Sequence, residues 1–592
     1  MKKLRLILTF LNTSEKKQAS LILFFVFFMA LLDTLGVASI LPFISLLINP
    51  ELIETNSILN KFYRSTYLLG VDSPKKFLFF FGSAVFFFFI FSLIIRSFSQ
   101  YSISRFILMR EFSISRTLMN NYLEQNYFWF LNRHSSEIIK NILSETNNLV
   151  NTTLMPVIIF ISQTLLILTL IILLIIIHPI LALSMTLVLT VSYFFIFYFI
   201  KKTLSKIGSQ NFTLNKERFK IITEAFSAIK EIKITGLEQR YIDRFSKSAE
   251  IYAKNQSTFQ IIANCPRYII EGLAFGGVII LSLIFISFDK NFSNILPIIS
   301  VYVFAGYRLM PALQQVYGAI TAIRFSGSIL NSIHKDLVLT KYENFTKDFQ
   351  TLSFEKSIIL KKIYFNFPDS KYAVLKNVNI EIPIFSKVGI IGATGSGKST
   401  IVDIILGLLN PNEGDLIVDD IYITENNKRS WQKNIGYVPQ QIYLSDASVA
   451  LNIALGSDEN NINYEAVESA AKIANIHEFI VKEMPEGYNT TIGERGVKIS
   501  GGQRQRIGIA RALYRKPKVL FLDEATSALD NFTEKRVIDA IQNLNKKKMT
   551  IICVTHRLST IKNCDIIFLL DKGKIVFQGN YIELCKKNNK LK

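Results

Sequence analysis

The sequence predicts a polytopic α-helical membrane domain, six transmembrane helices extended into the cytoplasm, fused to an α/β domain built around a phosphate-binding loop. Three observations predict it. Long apolar runs with hardly a charge fill the first half of the 592-residue chain. Lys and Arg collect between those runs on one side of the expected membrane. From about residue 352 the pattern changes to short apolar strands separated by turns and helices.

Half of the residues are hydrophobic (50%), Phe alone numbers 48, and the mean hydropathy is +0.31. That is too apolar for a soluble protein and too long for one domain. Residues 19–48 are apolar apart from Asp33 and small polar residues. Residues 77–95 carry no charge, and neither do the 47 residues from Leu154 to Ile200. A span needs about 20 residues, so 154–200 reads as a helical hairpin turning near His178 and Pro179. Runs near 266–288 and 293–313, parted by Asp289, Lys290 and Asn291, complete six spans. The first is too long for a signal-peptide core and is expected to stay in the membrane. Cys265, Cys553, Cys564 and Cys585 show no CxxC or Cys/His spacing. They read as reduced packing residues, with neither a disulfide framework nor a metal site.

The net charge of +21 is a topology signal. Lys2, Lys3, Arg5, Lys16 and Lys17 precede span 1, and twelve Lys and Arg follow span 4 between 201 and 254. The span 3–4 turn has none. Both termini are therefore expected in the cytoplasm, and membrane lipids, not nucleic acid, are the partners of the basic segments. The mixed-polarity stretches 99–150 and 201–260 lack frequent Pro and Gly and read as spans continuing past the membrane as long helices.

The second part centres on KVGIIGATGSGKST, 387–400. A short apolar strand leads into GxxxxGK[ST], and IVDIILGLL follows with helical spacing, the strand–loop–helix context of a phosphate loop. Gly392, Thr394, Gly395, Ser396, Gly397, Lys398, Ser399 and Thr400 form the candidate cradle for ATP. Glycines let backbone amides point at phosphate oxygens, and the helix start adds its positive end. Lys398 reaches phosphates and Ser399 is a Mg2+ ligand. At VLFLDEATSALD, 519–530, an apolar strand ends in Asp523, placed to hold the metal through water, and Glu524, placed to polarise an attacking water.

With ISGGQRQRIGIARAL at 499–513 the chain resembles the ABC transporters, Ile499 standing where that family's signature usually has Leu. The resemblance implies that Ser500, Gly501, Gly502 and Gln503 meet the ATP held by a second copy. Gln440 in GYVPQ corresponds to the Q-loop, a catalytic-site and Mg2+ contact. GERG at 493–496 corresponds to the X-loop, Ser527–Asp530 to the D-loop, and His556 to the switch histidine at the γ-phosphate. Phe367 stands where a tyrosine usually stacks on adenine. The implied layout is a half-transporter: residues 1–330 a transmembrane domain, 331–351 a linker, 352–592 the nucleotide-binding domain, and a homodimer as the working unit. Segments near 125–134 and 234–245 fall where the family has its coupling helices.

VFAGYRLMP, 303–311, places Arg308 in an apolar span, where a charge costs about 2.5–3.5 kcal/mol and normally faces protein or a polar cavity. Arg96 ends span 2 and Arg267 lies in span 5. Together they suit an anionic headgroup such as pyrophosphate. Each also has a plainer reading: Glu271 sits four residues after Arg267, Asp33 is available to another, and Arg96 is able to snorkel. ILPFISLL, PRYIIEG and YRLMP resemble the PglK-like flippases of lipid-linked oligosaccharides. That resemblance implies a polyprenyl-pyrophosphate-linked glycan as substrate. It also implies a short external helix within 51–75, with Leu59, Phe62, Tyr63 and Tyr67 as a lipid-facing side. Export of another lipid, a drug or a peptide, or an ATP-gated channel, are the alternatives. The compartment expected is a bacterial cytoplasmic membrane.

Overall fold

A computed structural model describes residues 6–7, 9–66, 71, 73–287, 292–339, 350–368, 370, 372–493, 496–524, 536, 539, 549–555 and 557–587. The chain divides into two compact units, one of Met1–Leu123 with Arg133–Lys341, the other of Glu124–Asn132 with Tyr342–Lys592.

The first unit is helical. Helix α1, Thr13–Ala38, stops at Ser39, and a second helix, Ile40–Ile48, carries the apolar run onward. Pro42 explains the break, since it has no N–H for the Ala38 carbonyl. Helix α2, Pro74–Leu123, has 50 residues and is about 75 Å long, far more than a ~30 Å bilayer core. Helices α3, Met155–Ile177, and α4, Pro179–Ser227, flank His178, where the sequence places a hairpin turn. Among the described residues four helical stretches are long and apolar enough to cross a membrane: Thr13–Ile48, Pro74–Leu123, Ser135–Ile177 and Pro179–Ser227. The fifth and sixth expected runs are helices α5, Pro266–Ser287, and α6, Phe292–Phe325. The turn expected at 289–291 lies outside the described residues.

Two sequence expectations change here. The second short helix between long ones is Ile229–Thr235, earlier than 234–245, because Gly236 ends it in the left-handed conformation at φ 66°. The helix expected within 51–75 exists as Ser57–Thr66. Its apolar side is divided: Phe62 stays 44% exposed, while Leu59 and Tyr63 are partly buried. Phe62 and Tyr63 lie edge-on to Phe77 at 6.0 and 5.2 Å, and Leu59 joins the same cluster. Tyr67 is outside the described residues. Inside the unit α4 and α6 cross closely: a side-chain carbon on Gly208 would strike the Phe325 carbonyl. Lys140 is fully buried, 3.4 Å from Glu145 and 4.0 Å above the Phe212 ring, as a buried charge requires.

The second unit is α/β. Strands β1 (Ser357–Phe365), β2 (Leu375–Pro383), β4 (Glu413–Val418) and β5 (Ile421–Tyr422) form an antiparallel sheet in the order β2-β1-β4-β5. Strands β3 (Lys387–Gly392), β6 (Ile435–Val438), β7 (Val519–Asp523), β8 (Thr550–Val554), β9 (Ile566–Asp571) and β10 (Lys574–Gly579) form the order β10-β9-β3-β8-β7-β6. All neighbours in this sheet are parallel except the β9–β10 pair. The continuous Val/Ile/Leu runs of β3, β7 and β8 fit strands covered on both faces. Helix α7, Lys398–Ile405, packs Ile401, Val402, Ile404 and Ile405 into one core. Helix α8, Gly501–Tyr514, packs Ile507, Ile509 and Ala510 into another.

Candidate nucleotide site

Parallel strands bring their carboxyl ends to one edge, where open α/β sheets bind ligands. β3 delivers Gly392 there and β7 delivers Asp523. The loop between β3 and α7 turns through Gly395 at φ 79° and Gly397 at φ 106°. At Gly397 a Cβ would stand 2.8 Å from Leu375 Cδ2 and 3.2 Å from the Val374 carbonyl, so both conformation and space demand glycine. Lys398 Nζ donates to the carbonyls of Gly392 (2.8 Å) and Ala393 (3.0 Å), which holds the ammonium over the loop. Burial lowers its pKa, opposed by the carboxylates of Glu524 and Asp523. Thr394, Gly395 and Ser399 are exposed, while Thr400 is buried. Ser396 Oγ is buried and makes no hydrogen bond among the described residues. An orphaned hydroxyl under an amide-lined loop, with an ammonium beside it, fits polyphosphate chemistry, and Ser399, Asp523 and Gln440 supply oxygens suited to Mg2+.

The acidic pair is set by backbone geometry. Asp523 ends β7, and Glu524 adopts φ 48°, rare for a residue with a side chain. Its amide donates to the Val554 carbonyl at 2.9 Å, which fixes the turn. Gln440 Nε2 donates to Glu524 Oε2 at 2.7 Å, so two residues singled out separately in the sequence touch. Tyr437 OH donates to Asp523 Oδ2 at 3.4 Å. Burial and the neighbouring Glu524 raise the Asp523 pKa, and the Tyr437 hydrogen bond and Lys398 pull it back.

Asp403 and Tyr437 are site neighbours that sequence reasoning missed. Burial and the charge of Asp523 push the Asp403 carboxyl up to about 6. Its signal was a lone acid in the apolar run IVDII. The short helix Tyr127–Leu131 belongs to this unit. Burial and the Asp403 charge raise the Tyr127 pKa. Phe128 stacks on Phe367 at 6.2 Å and 22°, and Phe365 lies edge-on to the same ring at 5.0 Å and 88°. Phe367, expected to stack on adenine, is thus engaged by two rings of its own chain.

The SGGQ stretch opens α8. Ser500 Oγ accepts from the Gln503 amide at 3.2 Å, and Gln503 Oε1 accepts from the Ser500 amide at 2.7 Å. This capping box leaves Gly501 and Gly502 in the first turn, at the positive end of a 14-residue helix. His556, residues 494–495 and the stretch 527–530 lie outside the described residues.

In the helical unit the three arginines separate. Arg308 Nη2 lies 3.7 Å from Asp33 Oδ1, and Arg96 Nη1 lies 3.9 Å from Asp33 Oδ2. Arg267 instead pairs with Glu271 on its own helix. Two of the three therefore meet, around an acid, and the third does not join them.

Comparison with known proteins follows this division. Residues 23–311 match the family model "ABC transporter transmembrane region", and residues 375–527 match "ABC transporter". The heterocyst differentiation ATP-binding protein HepA of Nostoc sp. is 34% identical over 378 residues, 63% of this chain and 60% of that protein. The leukotoxin translocation ATP-binding protein LktB of a Pasteurella haemolytica-like species is 32% identical over 403 residues, 66% of this chain and 55% of that one. ATP-binding cassette sub-family B member 10, mitochondrial, of Mus musculus is 41% identical over 241 residues, 40% of this chain and 33% of that one. The chain thus spans about three-fifths or less of the length of these relatives. A solved bacterial Atm1-family ABC exporter with ATP bound superposes with a TM-score of 0.78 at 21% identity, covering 98% of this chain and 97% of that one, a likeness of fold.

Proposed function

This chain belongs to the ABC transporter family, and from that premise we propose that it is an ATP-hydrolysing exporter of the half-transporter type, working as a homodimer in a bacterial cytoplasmic membrane. Its substrate in this reading is a polyprenyl-pyrophosphate-linked oligosaccharide or a similar anionic lipid-linked glycan. The observation that carries the ATPase part is the contact of Gln440 with Glu524 beside the Lys398 loop. The observation that carries the substrate class is the pair Arg96 and Arg308 gathered inside a membrane unit.

The mechanism follows from these side chains. The loop amides and Lys398 bind and orient the phosphates. Ser399 and Gln440, with Asp523 through water, would hold a Mg2+ ion, which would supply charge neutralisation between the phosphates. Glu524 accepts the proton of the attacking water, and Gln440 holds its carboxylate toward that position. By the family resemblance, Ser500 to Gln503 of the second copy would close over the nucleotide and His556 would contact the γ-phosphate. Closure is passed to the helical unit through Tyr127–Leu131, which is joined covalently to it at both ends.

Flipping in proteoliposomes tests both parts. A labelled polyprenyl-pyrophosphate oligosaccharide starts in the leaflet on the nucleotide-domain side, and its ATP-dependent loss from there is followed. Glu524→Gln should reduce ATP turnover by about 10²-fold or more, as expected for a general base, and stop transport. Arg308→Ala should move fewer lipids per ATP hydrolysed. A wild type that hydrolyses ATP and moves no such lipid overturns the substrate class. The likeness to LktB, a leukotoxin translocation protein, makes toxin export the second reading, to be assayed in the same vesicles.

A further inference from the structure

Three helices of the first unit deliver charge to one buried point. α1 supplies Asp33, α2 supplies Ser92 and Arg96, and α6 supplies Arg308. The Asp33 side chain is 1% exposed, against 11% for Arg308 and 37% for Arg96. Ser92 Oγ donates to Asp33 Oδ1 at 2.9 Å. The guanidiniums stand farther off, at 3.7 and 3.9 Å. A charge-assisted hydrogen bond is about 2.7–2.9 Å, so both pairs are held by field and neither by a fork. Asp33 Oδ2 is buried and makes no hydrogen bond among the described residues. Arg308 also lies 5.5 Å from the centre of the Phe89 ring.

Two features of this arrangement are informative. Among the described residues one carboxylate faces two guanidiniums, so a positive charge is left over in an apolar unit, where an uncompensated charge is costly. The geometry also leaves the bidentate faces of both guanidiniums unused by Asp33. Arg96 is the more exposed of the two partners. A purely structural ion pair gains most from close geometry, and neither guanidinium comes within hydrogen-bond distance of Asp33.

We propose that Asp33 is a displaceable internal counter-anion. In the substrate-free protein it occupies the field of Arg96 and Arg308, and an anionic phosphate headgroup takes its place on them. Its return then competes with the headgroup and speeds release. This rests on the reading of the substrate as an anionic lipid, and it assigns Asp33 the role of competitor, not of ligand.

The test uses the full chain in nanodiscs of zwitterionic lipid, with a fluorescent polyprenyl pyrophosphate as probe and the uncharged polyprenol as control. Asp33→Asn should bind the pyrophosphate lipid at least about five-fold more tightly, the scale of a modest coupling between sites, and release it more slowly. Asp33→Glu, which keeps the charge, should bind no tighter than wild type. Affinity in Asp33→Asn equal to or weaker than wild type overturns the proposal and makes Asp33 a structural neutraliser. Should Asp33→Asn not fold, Arg96→Gln with and without Asp33→Asn makes the same comparison with less unbalanced charge. The double variant should bind at least about five-fold tighter than the single one, and equality overturns the proposal. A wild type that does not distinguish pyrophosphate from polyprenol instead sinks the substrate class itself.

Discussion

At the scale of single residues, the acidic face of the nucleotide site is the most informative. Glu524 carries a carboxylate on a left-handed backbone position, and such conformations persist where surrounding structure over-determines them. Here the Val554 carbonyl and Gln440 do so. Behind it, Asp403 holds its proton to about 6, well above its ordinary value of 3.8. The folded state therefore binds more protons than the unfolded one between those values, so stability falls as pH rises through the window. Above about 6 the cost is fully present, and below the unfolded value it vanishes. Asp403→Asn should raise the unfolding midpoint at pH 7, with the gain shrinking toward zero near pH 4. Both tryptophans of the chain, Trp129 and Trp431, lie in the second unit, so intrinsic fluorescence reads that unit in the intact protein. A gain that does not change with pH would mean that Asp403 titrates alike in the folded and unfolded chain.

At the scale of elements, the short helix Tyr127–Leu131 is the unusual piece, since it lies in sequence between helical segments of one unit and packs with the other. Asn126 caps it by accepting from the Trp129 amide at 3.0 Å. Phe128 anchors it by stacking on Phe367. Aromatic pairs contribute about 0.5–1.5 kcal/mol beyond their area. Phe128→Ala should accordingly speed amide exchange across 124–132 by several-fold, while Phe128→Tyr should not. Unchanged exchange in Phe128→Ala would show that the cap and chain connectivity hold the helix by themselves. In the proposed reading Phe367 stacks on adenine, so the same variant should also weaken ATP binding.

At the scale of the whole molecule, the proposed half-transporter works as a pair of identical chains. The signature stretch at 500–503 caps its own helix and keeps Gly501 and Gly502 in the first turn, a surface suited to a second copy's nucleotide. Light scattering of the detergent-solubilised chain, corrected for detergent, should give twice 67.6 kDa. A mass of one chain, with or without ATP, would overturn the homodimer.

Much of this was legible in residue order, for identifiable reasons. Uncharged runs of bilayer length demand helices, because lipid offers no hydrogen bonds to a bare backbone. GATGSGKS demands its loop, because glycines at 395 and 397 take conformations that other residues resist. Those are local requirements, and the sequence by itself determined them, together with the family. The side of the helix Ser57–Thr66 that meets Phe77, the start of Ile229–Thr235, the engagement of Phe367 by Phe128, and the acid Asp403 behind Asp523 were decided by the tertiary structure alone. So was the pairing of Arg308 with Asp33, 275 positions away in the chain. Periodicity and spacing report what a segment needs of its surroundings. Which distant side chain meets that need depends on how helices cross and strands register, and only the folded chain sets those.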